Sequence, residues 1–203
     1  QRMLAAATPY LPVLSAAYDD AWPDAPMRSL VAAQAEKESR WNPQAQLCVP
    51  KPNCTRELGI GLGQFTITPR FNVFLEVSAQ HQKLRGWRPE QYTDPSKQLL
   101  AMVVKNKGHF RQCSPMFLAG EDTMACVASS YNGGFGGVLA DRRLCANTKR
   151  CDPRRWFGHV SEYSMKAKQP LAGYGQSFYQ INRGYARGVV REWRYKYVIF
   201  LGS

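Results

Sequence analysis

Two carboxylates, Glu36 and Glu38, lie on one predicted helix, which starts after Asp24 and runs to about Trp41. At about 100° per residue, Glu38 shares one face with the apolar stripe, whereas Glu36 falls about 140° from Val31, towards solvent. The apolar stripe consists of Met27, Val31 and Ala35. Desolvation raises the pKa of a carboxyl, which suits a general acid near neutral pH. Glu38 is therefore a candidate catalytic acid, and an ion pair with a buried arginine is the structural alternative.

Three motifs follow in order along the chain, and the first two are separated by a long loop. The first is Glu38-Ser39-Arg40-Trp41-Asn42-Pro43, followed by Ala45. The second is Gly59-Ile60-Gly61-Leu62-Gly63-Gln64. The third is Ser130-Tyr131-Asn132-Gly133-Gly134-Phe135-Gly136-Gly137-Val138. Together they resemble the motifs E-S-x-x-N-P-x-A, S-x-x-G-A-x-G-L-M-Q and A-Y-N-A-G-x-G-x-V of the soluble lytic transglycosylase family, over roughly residues 25–140.

This resemblance implies a mainly α, single lysozyme-like catalytic domain over residues 1–203, with a deep substrate cleft. It implies that Glu38 protonates the glycosidic oxygen between N-acetylmuramic acid and N-acetylglucosamine in peptidoglycan. Glu38 would then take a proton from the C6 hydroxyl of the muramic acid, which closes a 1,6-anhydro ring. The substrate supplies the nucleophile, so one carboxylate is enough and no cofactor or metal is expected. We expect the enzyme to act as a monomer.

The resemblance also assigns substrate-binding roles, one residue at a time. Gln64 matches a glutamine that lines the cleft, although a loop-stabilising amide is the alternative. Tyr131 matches an aromatic hydroxyl that contacts the acid and the sugar, and its alternative is a core tyrosine. Asn132 matches a substrate-binding position, but Asn before Gly is also a common helix end. Two weaker assignments complete the set: Thr55, at the position of a serine that binds the N-acetyl group, and Tyr185, in a loosely matched C-terminal motif.

Several positions depart from the family pattern. Leu58 and Gly63 replace the family's first Gly and its Met, as in versions similar to bacteriophage lysis enzymes. An insertion near 47–55 lengthens the first loop. Glu57 is an additional carboxylate, which a hydrolase could use to position water and a structural loop could use as an ion pair. A muramidase that uses Glu57 is therefore an alternative to the transglycosylase.

The elements that must position these residues are mostly helical in the sequence pattern. Helices are predicted within 6–20 and near 69–82, 95–111, 120–131 and 175–199. Thr68-Pro69 and Asp94-Pro95 are read as cap-then-proline helix starts. Residues 42–64 are expected to form a long structured loop, and 132–137 a glycine-rich turn. No period-2 alternation indicates a large sheet.

Six cysteines, an even number, indicate disulfides formed in an oxidising compartment. The most local of the 15 possible connectivities joins Cys48–Cys54, Cys113–Cys126 and Cys145–Cys151. The first of these bonds would staple the insertion. Short spacings of the C-x5-C type and scattered histidines do not match the ligand pairs of zinc sites.

The charge is concentrated at the C-terminal end: residues 142–203 carry 13 basic and 3 acidic side chains, a net of +10, of +12 in total. A basic helical segment of this kind is expected to contact an anionic membrane or wall, and a packed helix with a solvated basic face is the alternative. A specific nucleic-acid interface has no stacking motif to support it. A non-catalytic wall-binding virion protein remains a rival. The preferred context is an exported, extracytoplasmic enzyme of bacteriophage origin that lyses the host cell, and bacterial wall remodelling is the alternative.

Overall fold

Helices account for most of the ordered secondary structure, and one small sheet accompanies them. The computed structural model describes residues 2–88, 91, 93–171 and 174–203. The chain divides into two compact units: the first unit comprises residues 1–105 and 194–203, and the second unit residues 106–193. The prediction of a mainly α fold is confirmed. The lysozyme-like architecture and the single domain stay predictions.

Among its described residues, the first unit contains the helices α1 (Arg2–Ala7), α2 (Leu11–Ala21), α3 (Ser29–Ser39) and α4 (Val73–Ser78), and the N-terminal part of α5 (Pro95–Cys113). The predicted stripe is buried, with Val31 and Ala35 on α3 and Met27 just before it, but Ser29–Ala35 are all buried, so burial is not confined to one face of the helix. The helix starts at Ser29, later than predicted, so Pro26 lies outside its first turn. The predicted helix within 6–20 is divided into α1 and α2, and Pro12 lies in the first turn of α2.

A four-stranded antiparallel sheet occupies part of the stretch expected to be a loop, which corrects that prediction. Its strands are β1 (Gln46–Val49), β2 (Glu57–Ile60), β3 (Phe65–Thr68) and β4 (Phe71–Asn72), in the order β1-β2-β3-β4. The register pairs Val49 with Glu57 and Ile60 with Phe65. Strands of two to four residues are too short to show a period-2 pattern, which explains why the sequence did not reveal them.

The predicted helix near 69–82 is also corrected, because Thr68-Pro69 opens a turn between β3 and β4. Thr68 Oγ1 accepts a hydrogen bond from the Arg70 N–H at 3.3 Å. The cap of the shorter helix α4 is Asn72, whose Oδ1 accepts from the Phe74 N–H at 2.9 Å. Asp94-Pro95 behaves as predicted: Asp94 Oδ1 accepts from the Ser96 N–H at 2.9 Å, and α5 covers Pro95–Cys113.

The second unit contains the C-terminal part of α5, then α6 (Glu121–Gly133), α7 (Phe135–Ala146), a 3₁₀ turn (Val160–Glu162) and α8 (Phe178–Arg191). Helix α6 packs against both α7 and α8. The glycine-rich turn predicted over 132–137 is only one residue long, because Gly134 (φ 86°) alone separates α6 from α7. Ser177 and Gln180 form a capping box at the start of α8.

The predicted C-terminal helix over 175–199 is three elements: α8, a 3₁₀ segment (Trp193–Tyr197) and α9 (Val198–Leu201). A close contact accompanies the interruption. The ring of Trp193 lies against Gly188, so closely that a Cβ at Gly188 would overlap it. A continuous straight helix would not bring these two residues together, since they are five positions apart.

All three predicted disulfides are present: Cys48–Cys54, Cys113–Cys126 and Cys145–Cys151. The first closes the insertion between β1 and β2, as the sequence indicated. Disulfides are compatible with a protein that folds outside a reducing compartment. Within the described residues, none of the helices has the length and apolar character needed to cross a membrane.

We expect a disulfide that closes a longer loop to contribute more to stability, because the entropy of loop closure grows with the logarithm of loop length. The Cys113–Cys126 bond closes a longer loop (separation 13) than Cys48–Cys54 (separation 6). Loop entropy then gives about 3 kcal/mol for the former and about 2 kcal/mol for the latter. Urea unfolding of the two paired Cys→Ala variants measures the difference. Six reactive thiols in the denatured, unreduced protein would contradict the bonding pattern.

Candidate active site

Glu38 lies on the last turn of α3 and is half-buried, as its position on the apolar face predicted. The next residue, Ser39, is buried, and its Oγ donates to the Ala35 carbonyl at 2.9 Å. The backbone at Glu38 is therefore held by a helix whose neighbouring positions Ala35 and Ser39 are buried in the core of the first unit.

The chain leaves α3 through two successive residues in the left-handed region, Arg40 (φ 54°) and Trp41 (φ 62°). Each non-glycine residue in this region costs energy, so surrounding contacts must hold the turn. Trp41 supplies them: its buried ring stacks on Tyr10, with centroids 6.1 Å apart, and its Nε1–H donates to the Tyr197 hydroxyl at 2.9 Å. This turn sets the direction of the motif residues that follow Glu38.

Glu36 does not point into solvent, which corrects the prediction from the helical angle. Its side chain is only 13% exposed and accepts hydrogen bonds from Lys196 Nζ at 2.6 Å and from the Tyr197 hydroxyl at 2.7 Å. Burial, together with the hydrogen bond to the Glu36 carboxylate, raises the pKa of Tyr197 well above its usual value. The helical angle was right, but the C-terminal segment covers this face of α3, and a single helix cannot show what covers it.

The first two motifs are joined by hydrogen bonds between their loops. The Gly61 N–H donates to the Ala45 carbonyl at 2.8 Å. Gln64 Nε2 donates to the same Ala45 carbonyl at 3.1 Å and to the Gly61 carbonyl at 3.0 Å. Gly59 permits the close approach, since a Cβ there would lie 2.8 Å from Gln64 Oε1. Gln64 therefore stabilises the loops, and its contact with substrate stays a prediction.

Gln98 is a site residue that the sequence analysis missed. This buried residue of α5 accepts from the Leu62 N–H at 2.7 Å through Oε1 and donates to the Pro43 carbonyl at 3.0 Å through Nε2. It also contacts the second motif closely, because a Cβ at Gly61 (φ 77°) would lie 2.6 Å from Gln98 Oε1. The Asp94-Pro95 helix start placed Gln98 in the first turn of α5, but no local pattern indicates what it binds. We call Gln64 and Gln98 the amide clamp.

Thr55 and Glu57 are the remaining predicted site residues of the first unit. Thr55 is exposed, directly after Cys54 in the disulfide-closed insertion. Glu57 is half-buried and opens β2, where it pairs with Val49. Both residues are therefore fixed by the hairpin of β1 and β2. The substrate contact of Thr55 and the water-positioning role of Glu57 stay predictions.

The other three predicted site residues belong to the second unit. Tyr131 is half-buried and Asn132 is exposed, both on the last turn of α6. Tyr185 lies on α8 and is 3% exposed. The exposed amide of Asn132 is open to a ligand, whereas Tyr185 is a core residue of α8 in this structure. Their roles towards substrate stay predictions.

Metal binding has no geometric support in the part of the chain that the structure describes. No group of three or more His, Cys, Asp or Glu side chains lies close enough there to hold an ion. The chemistry that these residues can perform is proton transfer by a carboxyl and hydrogen bonding by amides and hydroxyls.

Five of the 13 cations in the predicted basic C-terminal segment, those between positions 183 and 196, have partners within the protein. Four of them pair with carboxylates: Arg183 with Asp141, Arg187 with Glu192, Arg191 with Glu121 and Lys196 with Glu36. The fifth, Arg194, is buried and donates to Ser29 Oγ at 3.3 Å. For these five cations the contacts favour the packed-helix alternative over a free basic surface, although the Arg187–Glu192 pair lies on the surface.

No protein-family model matches the chain, and no curated protein matches it. The functional assignment therefore rests on the motif residues and on the geometry described above. The two observations that bear most on function are the hydrogen bonds of the amide clamp and the position of Glu38 on α3.

We expect Glu36→Gln to destabilise the protein. The amide retains one acceptor but loses the charge that pairs with Lys196, and a charge-assisted hydrogen bond at this partly buried position contributes about 1–2 kcal/mol. Chemical unfolding of the variant and of Lys196→Met measures the effect. Equal stability of wild type and Glu36→Gln would show that the contact contributes nothing.

Replacing Gln98 by Ala should cost more than a surface substitution, since it leaves the Leu62 N–H and the Pro43 carbonyl without this partner. Each unpaired buried group costs about 1–3 kcal/mol. Gln80→Ala, at an exposed glutamine of the same unit, is the matched control. Thermal unfolding compares the two, and a Gln98→Ala protein as stable as the control would argue against the clamp.

Proposed function

We propose that this protein is a peptidoglycan lytic transglycosylase with Glu38 as its acid and base. It cleaves the β-1,4 bond between N-acetylmuramic acid and N-acetylglucosamine and leaves 1,6-anhydro-muramic acid ends. The proposed setting is outside the cytoplasm, in host-cell lysis by a bacteriophage, with bacterial wall remodelling as the alternative source.

The observation that carries this proposal is the connection between two motifs that are distant in sequence. An insertion with its own disulfide separates Ala45 from Gly59, yet Gly61 and Gln64 bind the Ala45 carbonyl directly. The resemblance requires that these segments act together beside the acid. Their hydrogen bonds bring them together directly after the helix that carries Glu38.

The mechanism needs one carboxyl that changes its protonation state twice. Protonated Glu38 gives its proton to the glycosidic oxygen as the bond to C1 breaks. The resulting carboxylate then removes the proton of the C6 hydroxyl, whose oxygen attacks C1 and closes the anhydro ring. Glu38 ends protonated again, and no water is consumed. A glycosidase of the common two-carboxylate type instead needs a second carboxylate at a defined separation.

A second candidate function is a muramidase in which Glu57 positions a water molecule. The observation that favours it is the place of Glu57, a half-buried carboxyl at the start of β2, the strand that leads into the Gly59–Gln64 turn. Water would then open the glycosyl intermediate and give a reducing end. The third hypothesis is a wall-binding protein without activity, which predicts binding to cell walls with no cleavage.

We expect Glu38→Gln to abolish wall cleavage while the protein stays folded. Glutamine keeps the shape of the side chain but cannot donate or recover the proton, and general acid–base catalysis contributes about 10²–10⁴-fold. Glu162→Gln, the same change at an exposed carboxylate, is the matched control. Turbidity of purified cell walls measures the activity. Full activity of Glu38→Gln would refute the assignment.

Glu57→Gln distinguishes the transglycosylase hypothesis from the muramidase hypothesis in the same assay. A transglycosylase should lose little activity and still give anhydro products, which are lighter by one water than hydrolysis products in mass spectrometry. A muramidase should lose most of its activity, and its wild-type products should carry reducing ends. If wild-type protein binds walls but releases no products, the non-catalytic reading is correct.

A further inference from the structure

A chain of buried polar contacts in the second unit ends at the exposed side chain of Asn132. It begins at Asp141 on α7, which is fully buried and pairs with Arg183 at 2.7 Å and with Lys166 at 3.2 Å. Arg183 donates through Nη1 to Asn182 Oδ1 at 2.7 Å, and Asn182 is 1% exposed. The proposed reaction makes no use of this chain, so its presence needs another explanation.

The chain has a fixed polarity, because its members differ in what they can donate and accept. A guanidinium only donates, so the atom of Asn182 that faces Arg183 must be the oxygen. The opposite end of the amide then carries the nitrogen, and that nitrogen donates to the Ser129 carbonyl at 3.1 Å, a group that only accepts. Ser129 Oγ completes the arrangement with a hydrogen bond to Asn182 Oδ1 at 2.7 Å. The buried amide therefore has one orientation.

The second N–H of Asn182 Nδ2 donates to Asn132 Oδ1 at 3.0 Å. Rotating the Asn132 amide by 180° would place two NH₂ groups against each other, so Asn182 selects one orientation of Asn132 as well. In that orientation the oxygen of Asn132 faces the buried amide, and its NH₂ group is turned away from it, on an exposed side chain. Asn132 therefore presents a hydrogen-bond donor.

Glycine at position 133 allows this contact. A Cβ at Gly133 would lie 3.0 Å from Asn182 Nδ2 and 3.4 Å from Lys166 Cε. Both neighbours are held by partners, Asn182 by Ser129 and Lys166 by Asp141, so neither moves aside at low cost. The glycine after Asn132 thus serves the approach of the buried amide, beyond its effect on helix termination.

We propose that Asn182 is a positioning residue that orients the amide of Asn132, so that its NH₂ group donates to a carbonyl oxygen of the bound ligand. The acetamido carbonyl of an N-acetylated aminosugar is such an acceptor, and this part of the inference rests on the proposed function. Asp141 and Arg183 act one step further back, because they fix which end of Asn182 faces Asn132. An amide free to rotate would present its donor only part of the time.

The orientation itself is tested without any ligand, by NMR of the side-chain amide protons. In wild type, the protons of Asn182 should be protected from exchange, and those of Asn132 should exchange at the rate of an exposed amide. In Asn182→Asp, the new carboxylate accepts from Asn132, so one Asn132 proton should become protected. Protected Asn132 protons in wild type, or an unchanged exchange rate in the variant, would overturn the proposal.

The consequence for binding is tested with a tetramer of N-acetylglucosamine in isothermal titration calorimetry, on a Glu38→Gln background that prevents cleavage. Asn132→Ala and Asn182→Asp should each weaken binding about tenfold, the effect of one lost hydrogen bond. The double variant should be no weaker than either single variant, because Asn182 acts through Asn132. Asn147→Asp, the same chemical change at an exposed residue after α7, should bind as wild type does.

Losses that add to about a hundredfold in the double variant would overturn the positioning role, as would normal binding by a folded Asn182→Asp protein. Failure of wild type to bind the tetramer would instead count against the proposed function and against the ligand assigned to Asn132. The exchange rates would still decide the orientation of the Asn132 amide.

Discussion

Backbone polar groups that leave water must find partners, and this constraint governs the loops around Glu38. Between Pro43 and Gln64 the chain has only short strands with which to satisfy its N–H and carbonyl groups. Two glutamine side chains supply further hydrogen bonds, one from within the second motif and one from α5. An amide suits this task because it donates and accepts at once, so Gln98 satisfies a carbonyl of one loop and an N–H of another. The loops are thereby tied to a helix, which is more rigid than either of them.

Two carboxylates with charged partners hold other segments in place, as the two glutamines hold the loops. Glu36 in the first unit and Asp141 in the second each bind a lysine, and each also has a second donor. Burying a charged pair contributes little net stability, because desolvation offsets the attraction. Such a pair does fix the orientation of its side chains, since any other arrangement would leave a buried charge unpaired. In both units the fixed element lies next to motif residues, the end of α3 in one and the end of α6 in the other.

Local signals in the sequence predicted local structure. The cap at Asp94 predicted the start of α5, and the apolar stripe predicted buried positions on α3. The short spacing of the cysteines predicted all three disulfides. The failures arose where distant segments meet. Glu36 was predicted to be solvated, yet Lys196 binds it from 160 residues away. Thr68-Pro69 is the exception, because this apparent helix start opens a short local turn between the paired strands β3 and β4. Gln98 gives no sign of its two partners, because both lie more than thirty residues away. Single-helix geometry cannot anticipate any of these contacts.

The first unit is discontinuous in sequence, and this has a consequence for the order of events during synthesis. Residues 194–203 belong with residues 1–105, although the whole of the second unit is translated between them. The buried face of α3 at Glu36 stays uncovered on the ribosome until Lys196 and Tyr197 emerge, 160 and 161 residues later. Contacts of such long separation form late and slowly, because the intervening chain must first be ordered. The side chains that cover this face of α3, two residues before Glu38, thus become available only after the whole second unit has been made.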